Sequence, residues 1–156
     1  MNVAAARGRF DELLRLKGAV DPAELDTIWT ALPRVRAEEI LGEWKGSEFA
    51  TGHPLCGQLN KIRWYGKSFL SLLDAKPLIC RREDGTLYSN TTTMKGEASL
   101  WNVEFRGEVT ATMVYDSMPV FDHFKRIDEH TLFGIMNGKN VTPGGQHFYF
   151  ALSRVG

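Results

Sequence analysis

The chain of 156 residues is long enough for one domain with a hydrophobic core that needs no disulfide bonds. Hydrophobic residues make up 43% of it and charged residues 24%, as is usual for globular proteins. Lysine plus arginine and aspartate plus glutamate both number 19, so overall charge attracts neither nucleic acid nor an acidic membrane surface. We therefore expect no nucleic-acid partner.

The ends and the cysteines of the chain predict a soluble cytoplasmic protein. Arg7 and Arg9 follow the first six residues at once, so the N-terminus lacks the apolar core of a signal peptide. No apolar run approaches the roughly 18 residues of a membrane span, so we expect no stable membrane insertion. Cys56 and Cys80 form neither a CxxC motif nor a Cys/His cluster at zinc spacing, and we expect reduced thiols and no metal site.

The N-terminal segment, residues 1–36, has the pattern of two short helices. Apolar residues at helical spacing predict a first helix from about Ala4 to Lys17, which Gly18 ends. Asp21-Pro22-Ala23-Glu24 predicts the start of a second helix, and Pro33 its end. Because each helix has one apolar face, we expect this segment to pack across an opening or a flank of the remaining protein.

Residues 37–156 are rich in short strands joined by turns. Asp84-Gly85 and Arg106-Gly107 each separate two strand-like segments and predict hairpins. Residues 120–127 fit either a short helix or a strand, and the turn at 128–130 favours the strand. About eight to ten such strands avoid exposed edges by closing into a barrel. We expect an all-β, mainly antiparallel barrel that forms one structural domain with the helical segment.

A Gly-x-Trp-x-Gly motif at residues 42–46 divides the helical segment from the strands. Trp44 carries the largest apolar side chain, which needs an acceptor for its N–H when buried. The two glycines remove β-carbons that would crowd the ring or the backbone that crosses it. We interpret Trp44 as the plug around which the barrel closes.

Two runs resemble a known bacterial family. Residues 42–54, followed by Trp64-Tyr65-Gly66-Lys67, resemble the N-terminal module of the GXWXG proteins. Residues 115–124 and then 128–136 resemble the domain of unknown function that follows that module, and the two together in this order are specific. The resemblance implies a calycin-like barrel of the lipocalin kind, with a GXWXG part at about 37–95 and a C-terminal part at about 96–156. It implies no catalytic residue.

A barrel of this size can hold one small ligand, and we expect a fatty acid or a related amphipathic carboxylate. If strand alternation turns Phe121, His123 and Lys125 inward, an apolar cavity gains one base and one cation. A cation beside tyrosine can fix a carboxylate head group while the apolar walls take the tail. The predicted ligand-binding residues are Trp44, Trp64, Trp101, Tyr115, Phe121, His123, Lys125 and Phe148. The alternative is a barrel filled by its own side chains.

Three other functions stay open. A cofactor-independent isomerase or lyase would use His123 as a base with a carboxylate, for which Asp116 and Asp122 are candidates. Adjacent strand residues point to opposite faces, so Asp116 or Asp128 is better placed than Asp122 to orient His123. Another possibility is haem or metal binding of the nitrobindin kind. The nitrobindin motif has a further glycine at the position of Glu48, and no counterpart of its proximal haem-binding histidine is evident, so we predict no cofactor. The last open function is a purely structural role, in which the protein pairs with other proteins or with a second copy of itself as a homodimer.

Overall fold

The computed structural model describes residues 1–156, which form two N-terminal helices, nine strands and one further short helix between the first two strands. The helices are α1 (Val3–Leu16), α2 (Pro22–Ala31) and α3 (Gln58–Lys61), with short 3₁₀ turns at Ala37–Ile40 and Pro143–Gly145. The strands are β1 (Gly42–Glu48), β2 (Trp64–Ser71), β3 (Asp74–Arg81), β4 (Leu87–Ser89), β5 (Ala98–Phe105), β6 (Glu108–Tyr115), β7 (Val120–Asp128), β8 (Thr131–Gly138) and β9 (Phe148–Arg154).

The two N-terminal helices begin at side-chain caps. The Asn2 side chain accepts a hydrogen bond from the Ala5 N–H at 2.8 Å, and Asp21 accepts one from the Ala23 N–H at 2.9 Å. Pro22 occupies the first position of α2, where its missing N–H costs nothing. The predicted helices are confirmed within a residue or two at each end.

All nine strands form one antiparallel sheet in the order β2-β1-β9-β8-β7-β6-β5-β3-β4. A further pairing between β2 and β3 closes eight strands into a barrel and leaves β4 as an extra strand on β3. The predicted all-β antiparallel barrel is thus confirmed, as are the hairpins at Asp84-Gly85 and Arg106-Gly107. Residues 120–128 form a strand, which pairs with β8 across the turn at residues 129–130.

Two hydrophobic cores lie on either side of the barrel wall. The inner core fills part of the barrel and includes Trp44, Phe69 and Phe124. The outer core lies between the helices and the outer faces of β7, β8 and β9. There the ring of Phe133 meets those of Phe10 and Trp29 at centroid distances of 5.1 and 5.4 Å. The helical segment therefore covers a flank of the barrel rather than an opening.

Trp44 closes one end of the barrel. It is 2% exposed, and its indole N–H donates to the carbonyl of Ile40 at 2.9 Å. The Arg154 guanidinium lies 4.1 Å from the ring centroid and donates to Leu41 O. A Cβ on Gly46 would lie 2.0 Å from the Trp64 ring, so this glycine makes room for Trp64 rather than for Trp44.

The helices are shorter than the thickness of a membrane bilayer requires. α1, the longest, has 14 residues, and no helix combines the length and apolar character that a membrane crossing requires.

Candidate functional site

The barrel encloses a cavity of about 350 Å³ at the end where β1 finishes and β2 begins, away from the Trp44 plug. Seventeen residues line it and twelve of them are hydrophobic, so its walls are mainly apolar. Gln58, Lys61 and Thr93 belong to the wall and are also exposed to solvent. The cavity therefore reaches the surface beside α3.

Strands from both halves of the chain supply the wall. Trp64 and Lys67 come from β2, Tyr115 from β6, Asp122 from β7 and Phe148 from β9. The polar groups among them form one patch in an apolar surround, the arrangement that usually fixes a small ligand's orientation.

Lys67 faces the cavity because β2 is irregular. Its pairing with β3 shifts register between Trp64 and Gly66, and again between Gly66 and Ser68. Such bulges re-aim side chains, so Trp64 and Lys67 both point inward although they are three residues apart. At Gly66 a Cβ would lie 1.8 Å from the Trp44 carbonyl oxygen, so only glycine permits this close approach of β1 and β2.

Lys67 and Asp122 form a buried ion pair in the cavity wall. Their side chains are 4% and 1% exposed, and Lys67 Nζ lies 3.1 Å from Asp122 Oδ2. Nζ also donates a hydrogen bond to the carbonyl of Pro77 at 3.2 Å. Neither carboxylate oxygen of Asp122 accepts a hydrogen bond. Lys67 Nζ also lies 5.3 to 5.9 Å from the ring centroids of Phe150, Trp64 and Tyr115.

Burial controls the protonation of this polar patch. It raises the pKa of the Asp122 carboxyl by more than the charge of Lys67 lowers it. Burial, reinforced by the nearby Asp122, also raises the pKa of Tyr115 well above its ordinary value. The patch therefore presents a carboxyl group that accepts a hydrogen bond or a proton, and a neutral phenol that donates one.

The predicted ligand-binding residues separate into two groups. Trp64, Tyr115 and Phe148 line the cavity, while Trp44 lies in the inner core at the barrel's closed end. Trp101 lies on the outer surface and is 51% exposed.

The prediction that Phe121, His123 and Lys125 point into the barrel was wrong. The inward face of β7 carries Asp122 and Phe124, so the three residues lie on the outer face. Both faces of β7 are buried, because α1 and α2 cover the outside of the barrel. Alternation along such a strand does not show which face is the interior.

Lys125 serves to anchor α2 rather than to bind a ligand. Its side chain is 0% exposed, and Nζ donates to the carbonyl of Trp29 at 3.0 Å and to Glu108 Oε1 at 2.5 Å. The ammonium also lies 5.3 Å from the centroid of the Trp29 ring. All of its contacts lie between the helix and the barrel wall.

His123 is buried in the outer layer and has no carboxylate partner. Its Nδ1 lies 2.8 Å from Thr112 Oγ1 and its Nε2 lies 3.2 Å from Asn137 Nδ2, while the ring stacks on Phe105 at 4.0 Å. Burial, and then the nearby charges of His147 and Arg106, lower its pKa to about 4. The predicted pairing with Asp116 or Asp128 was wrong, since both are exposed and the imidazole nitrogens have other partners.

The sequence did not single out Lys67. Its one signal was a lysine inside the aromatic run Trp64-Tyr65-Gly66-Lys67-Ser68-Phe69, which is unusual for a solvated side chain. Asp122 was a candidate, but as a partner for a histidine. None of the four histidines lines the cavity, and no three His, Cys, Asp or Glu side chains are grouped to hold a metal ion.

Comparison with known proteins gives the family. A model described as GXWXG protein matches residues 27–85, and the model of the domain of unknown function DUF4334 matches residues 96–154. The chain belongs to the GXWXG–DUF4334 family. This confirms the resemblance noted from residues 42–54 and 115–136, and the barrel with its N-terminal helical segment is calycin-like as expected.

The GXWXG–DUF4334 fold is shared with a solved relative. A crystal structure of a protein from Thermomonospora curvata is 34% identical and superposes with a TM-score of 0.88 over 97% of this chain and 99% of that chain. No protein of curated function matches. Lys67 lies in the GXWXG match and Asp122 in the DUF4334 match, so the buried pair joins the two family regions across the cavity.

Proposed function

We propose that the protein binds a small, mainly apolar ligand in the barrel cavity, and that one polar group of the ligand donates a hydrogen bond to Asp122. Asp122 is the observation that carries this proposal. Buried carboxylates in proteins normally accept hydrogen bonds, and an unsatisfied one costs free energy. Apart from the ion-pair contact of Oδ2 with Lys67 Nζ at 3.1 Å, the oxygens of Asp122 have no donor, and the residue forms part of the cavity wall.

The cavity limits the size of the ligand. Its volume of 350 Å³ equals about twelve water molecules at roughly 30 Å³ each, so it suits a ligand of about a dozen non-hydrogen atoms. This volume lies at the lower end of the range for small-molecule sites. Because the walls are mainly apolar, burial of the ligand's hydrocarbon supplies most of the affinity, about 0.8 kcal/mol per methylene.

The polar patch limits the ligand's inner group. An alcohol, phenol, amine or amide donates to Asp122, whereas a fatty acid whose ionised head group entered first would place two carboxylates together. Lys67 does not relieve this repulsion, because Asp122 already neutralises its charge. A fatty acid therefore fits best with its tail inside and its head group at the mouth.

A titration with matched alcohols and ethers tests the proposal. Trp64 is the one tryptophan among the cavity residues, so its fluorescence reports occupation. Decanol is expected to bind saturably, and roughly ten times or more tighter than its methyl ether, because a hydrogen bond to a charged group contributes about 1.5–3 kcal/mol. The charge-free variant K67M/D122L should bind the two compounds equally. Absence of saturable binding, or equal affinity in the unaltered protein, would contradict the proposal.

A second function, proton transfer, is favoured by the raised pKa of Asp122 in an apolar wall. A general base or acid works best with a pKa near the working pH, and Tyr115 could donate to an enolate oxygen. Asp122 thus takes the role that the sequence suggested for His123 in a cofactor-independent isomerase. The test is deuterium exchange of the C–H groups next to the carbonyl of 2-decanone in D₂O. Exchange that D122N abolishes, with 2-decanone still bound, supports catalysis, and no exchange above buffer contradicts it.

A further inference from the structure

We infer that the cavity mouth carries a binding site for an oxyanion, so that the ligand is an anionic amphipath with its head group at the surface. The site is the basic rim, formed by Lys61, Arg63, Arg81 and Arg82. This inference rests on the proposed function, because it assigns the outer end of the ligand whose inner end lies at Asp122.

The basic rim is continuous with the cavity. Lys61 and Ile62, at the end of α3, belong both to the cavity wall and to a shallow surface depression beside it. The three arginines lie in that depression, together with Glu83, Tyr88 and Asn90. A ligand that leaves the cavity past Lys61 therefore meets the rim.

The charges of the depression are unbalanced. It holds four cationic side chains and the one carboxylate of Glu83, so its net charge is +3. The whole chain has a net charge of zero, so composition alone does not produce this excess. None of the four cations lies within ion-pair distance of a carboxylate, in contrast to Arg9, Lys76 and Arg126 elsewhere on the surface. Their charges are available to a ligand.

Two of the arginines are held in place by neighbouring groups. The Arg81 guanidinium lies 5.1 Å from the centroid of the Tyr65 ring and donates to Gly85 O at 3.0 Å. The Arg82 guanidinium lies 4.5 Å from the centroid of the Tyr88 ring. Each donates to protein acceptors through Nη1 alone, which leaves its other N–H donors free for a planar or tetrahedral oxyanion.

The backbone brings Arg63 beside Arg81. Arg63 has φ = 55°, in the left-handed region, which ends α3 and turns the chain into β2. Its carbonyl accepts a hydrogen bond from the Arg81 N–H at 2.9 Å, so the two residues are fixed next to each other across β2 and β3. The rim is therefore built on backbone pairing and not on a free loop.

The inner cation cannot perform this task. Lys67 is paired with Asp122 and surrounded by aromatic rings, while the rim cations are exposed and unpaired. A carboxylate, sulfate or phosphate ester whose hydrocarbon body bears a hydroxyl or N–H would satisfy the rim, the apolar walls and Asp122 together. This defines the chemical class of the ligand.

The experiment compares decyl phosphate with decyl methyl ether, by Trp64 fluorescence, at low and at physiological salt, because neither compound donates a hydrogen bond to Asp122 when its tail enters the cavity. Decyl phosphate should bind at least ten times tighter than the ether at low salt, and salt should reduce this advantage. R63Q/R81Q should lose the advantage and keep the affinity for decanol, which also shows that the variant is folded. The matched control R7Q/R15Q removes two exposed, unpaired arginines from α1 and should change neither affinity.

The outcomes separate the two proposals. Saturable decanol binding, with decyl phosphate no tighter than decyl methyl ether, would overturn the basic rim and leave the cavity proposal intact. Failure of both decanol and decyl phosphate to bind would overturn both proposals. A third outcome is that the protein takes up no decyl phosphate saturably but co-sediments with phosphatidylglycerol vesicles and not with phosphatidylcholine vesicles. If R63Q/R81Q abolishes this co-sedimentation, the rim binds a membrane surface and the inference is overturned.

Discussion

Replacement of Lys67 by methionine tests the energetic account of the cavity. Methionine retains most of the lysine stem and removes the ammonium, so Asp122 would stay buried with neither a counter-charge nor a hydrogen bond. Breaking a buried ion pair from one side costs about 3–5 kcal/mol. In a chain of this length, each kcal/mol lowers the melting temperature by about 2–4 °C, so K67M should melt roughly 6–20 °C lower.

The pH dependence of this loss identifies Asp122 as its source. Burial raises the folded-state pKa of Asp122 above its ordinary value of 3.8, and loss of the ammonium raises it further. A carboxyl with a raised folded-state pKa stabilises the fold below the unfolded pKa, and this contribution disappears as pH rises through the folded pKa. The free-energy difference between K67M and the unaltered protein should therefore be small in acid and grow toward neutral pH.

Urea unfolding from pH 4 to pH 8 measures this difference, with two controls. K76M removes a 27% exposed lysine that faces Asp74 and Glu97, and should cost no more than about 1 kcal/mol. K67M/D122L should recover most of the loss, because the leucine replaces an unpaired charge and extends into the cavity. Equal losses in K67M and K76M, or a double variant no more stable than K67M, would show that the loss does not come from an unpaired charge on Asp122.

Three further predictions use other parts of the chain. G66A should lower the free energy of unfolding by about 3 kcal/mol or more, because its Cβ would clash with the Trp44 carbonyl. G8A in α1 places its Cβ where no atom lies within 4 Å, so it should raise the free energy of unfolding by up to about 1 kcal/mol. Urea unfolding measures both changes. The pKa of His123 is about 4 in the folded protein against an ordinary value of 6.5, so the stability that is present above pH 6.5 should fall by about 3 kcal/mol as pH drops through 4. H123Q should lack this part of the loss in acid when unfolding is measured across this pH range. A pH profile identical to that of the unaltered protein would contradict the prediction. In a series of linear alcohols, each methylene should tighten Kd about fourfold until the cavity is full, and a flat series would exclude apolar burial as the source of affinity.

Much of the fold follows from local chemistry in the sequence. Asp21-Pro22 sets the start of α2, and the turns at Asp84-Gly85 and Arg106-Gly107 set two hairpins, because few residues adopt those backbone conformations. The motif around Trp44 correctly indicated the closed end of the barrel. These features depend on a few neighbouring residues, so the sequence alone reveals them.

The site depends on contacts between distant segments, and there the sequence was misleading. Lys125 and Lys67 are both lysines among apolar residues, but one lies beneath α2 and the other faces the cavity. The covering helices bury both faces of β7, and the bulges in β2 break its alternation, so neither pattern shows which side is inside. The buried partner of Asp122 becomes evident only when β2 and β7 are placed in one barrel.

Calorimetric titration of decanol into a cavity-filling variant shows whether the barrel cavity is the binding site. Leu78 lines the cavity, so L78F should occupy its space, while Leu87 on β4 is 44% exposed and L87F serves as the matched control. We expect one-to-one binding with a negative heat-capacity change in the unaltered protein and in L87F, and at least tenfold weaker binding in L78F. Undiminished affinity in L78F, or no saturable heat in the unaltered protein, would contradict ligand binding in the cavity.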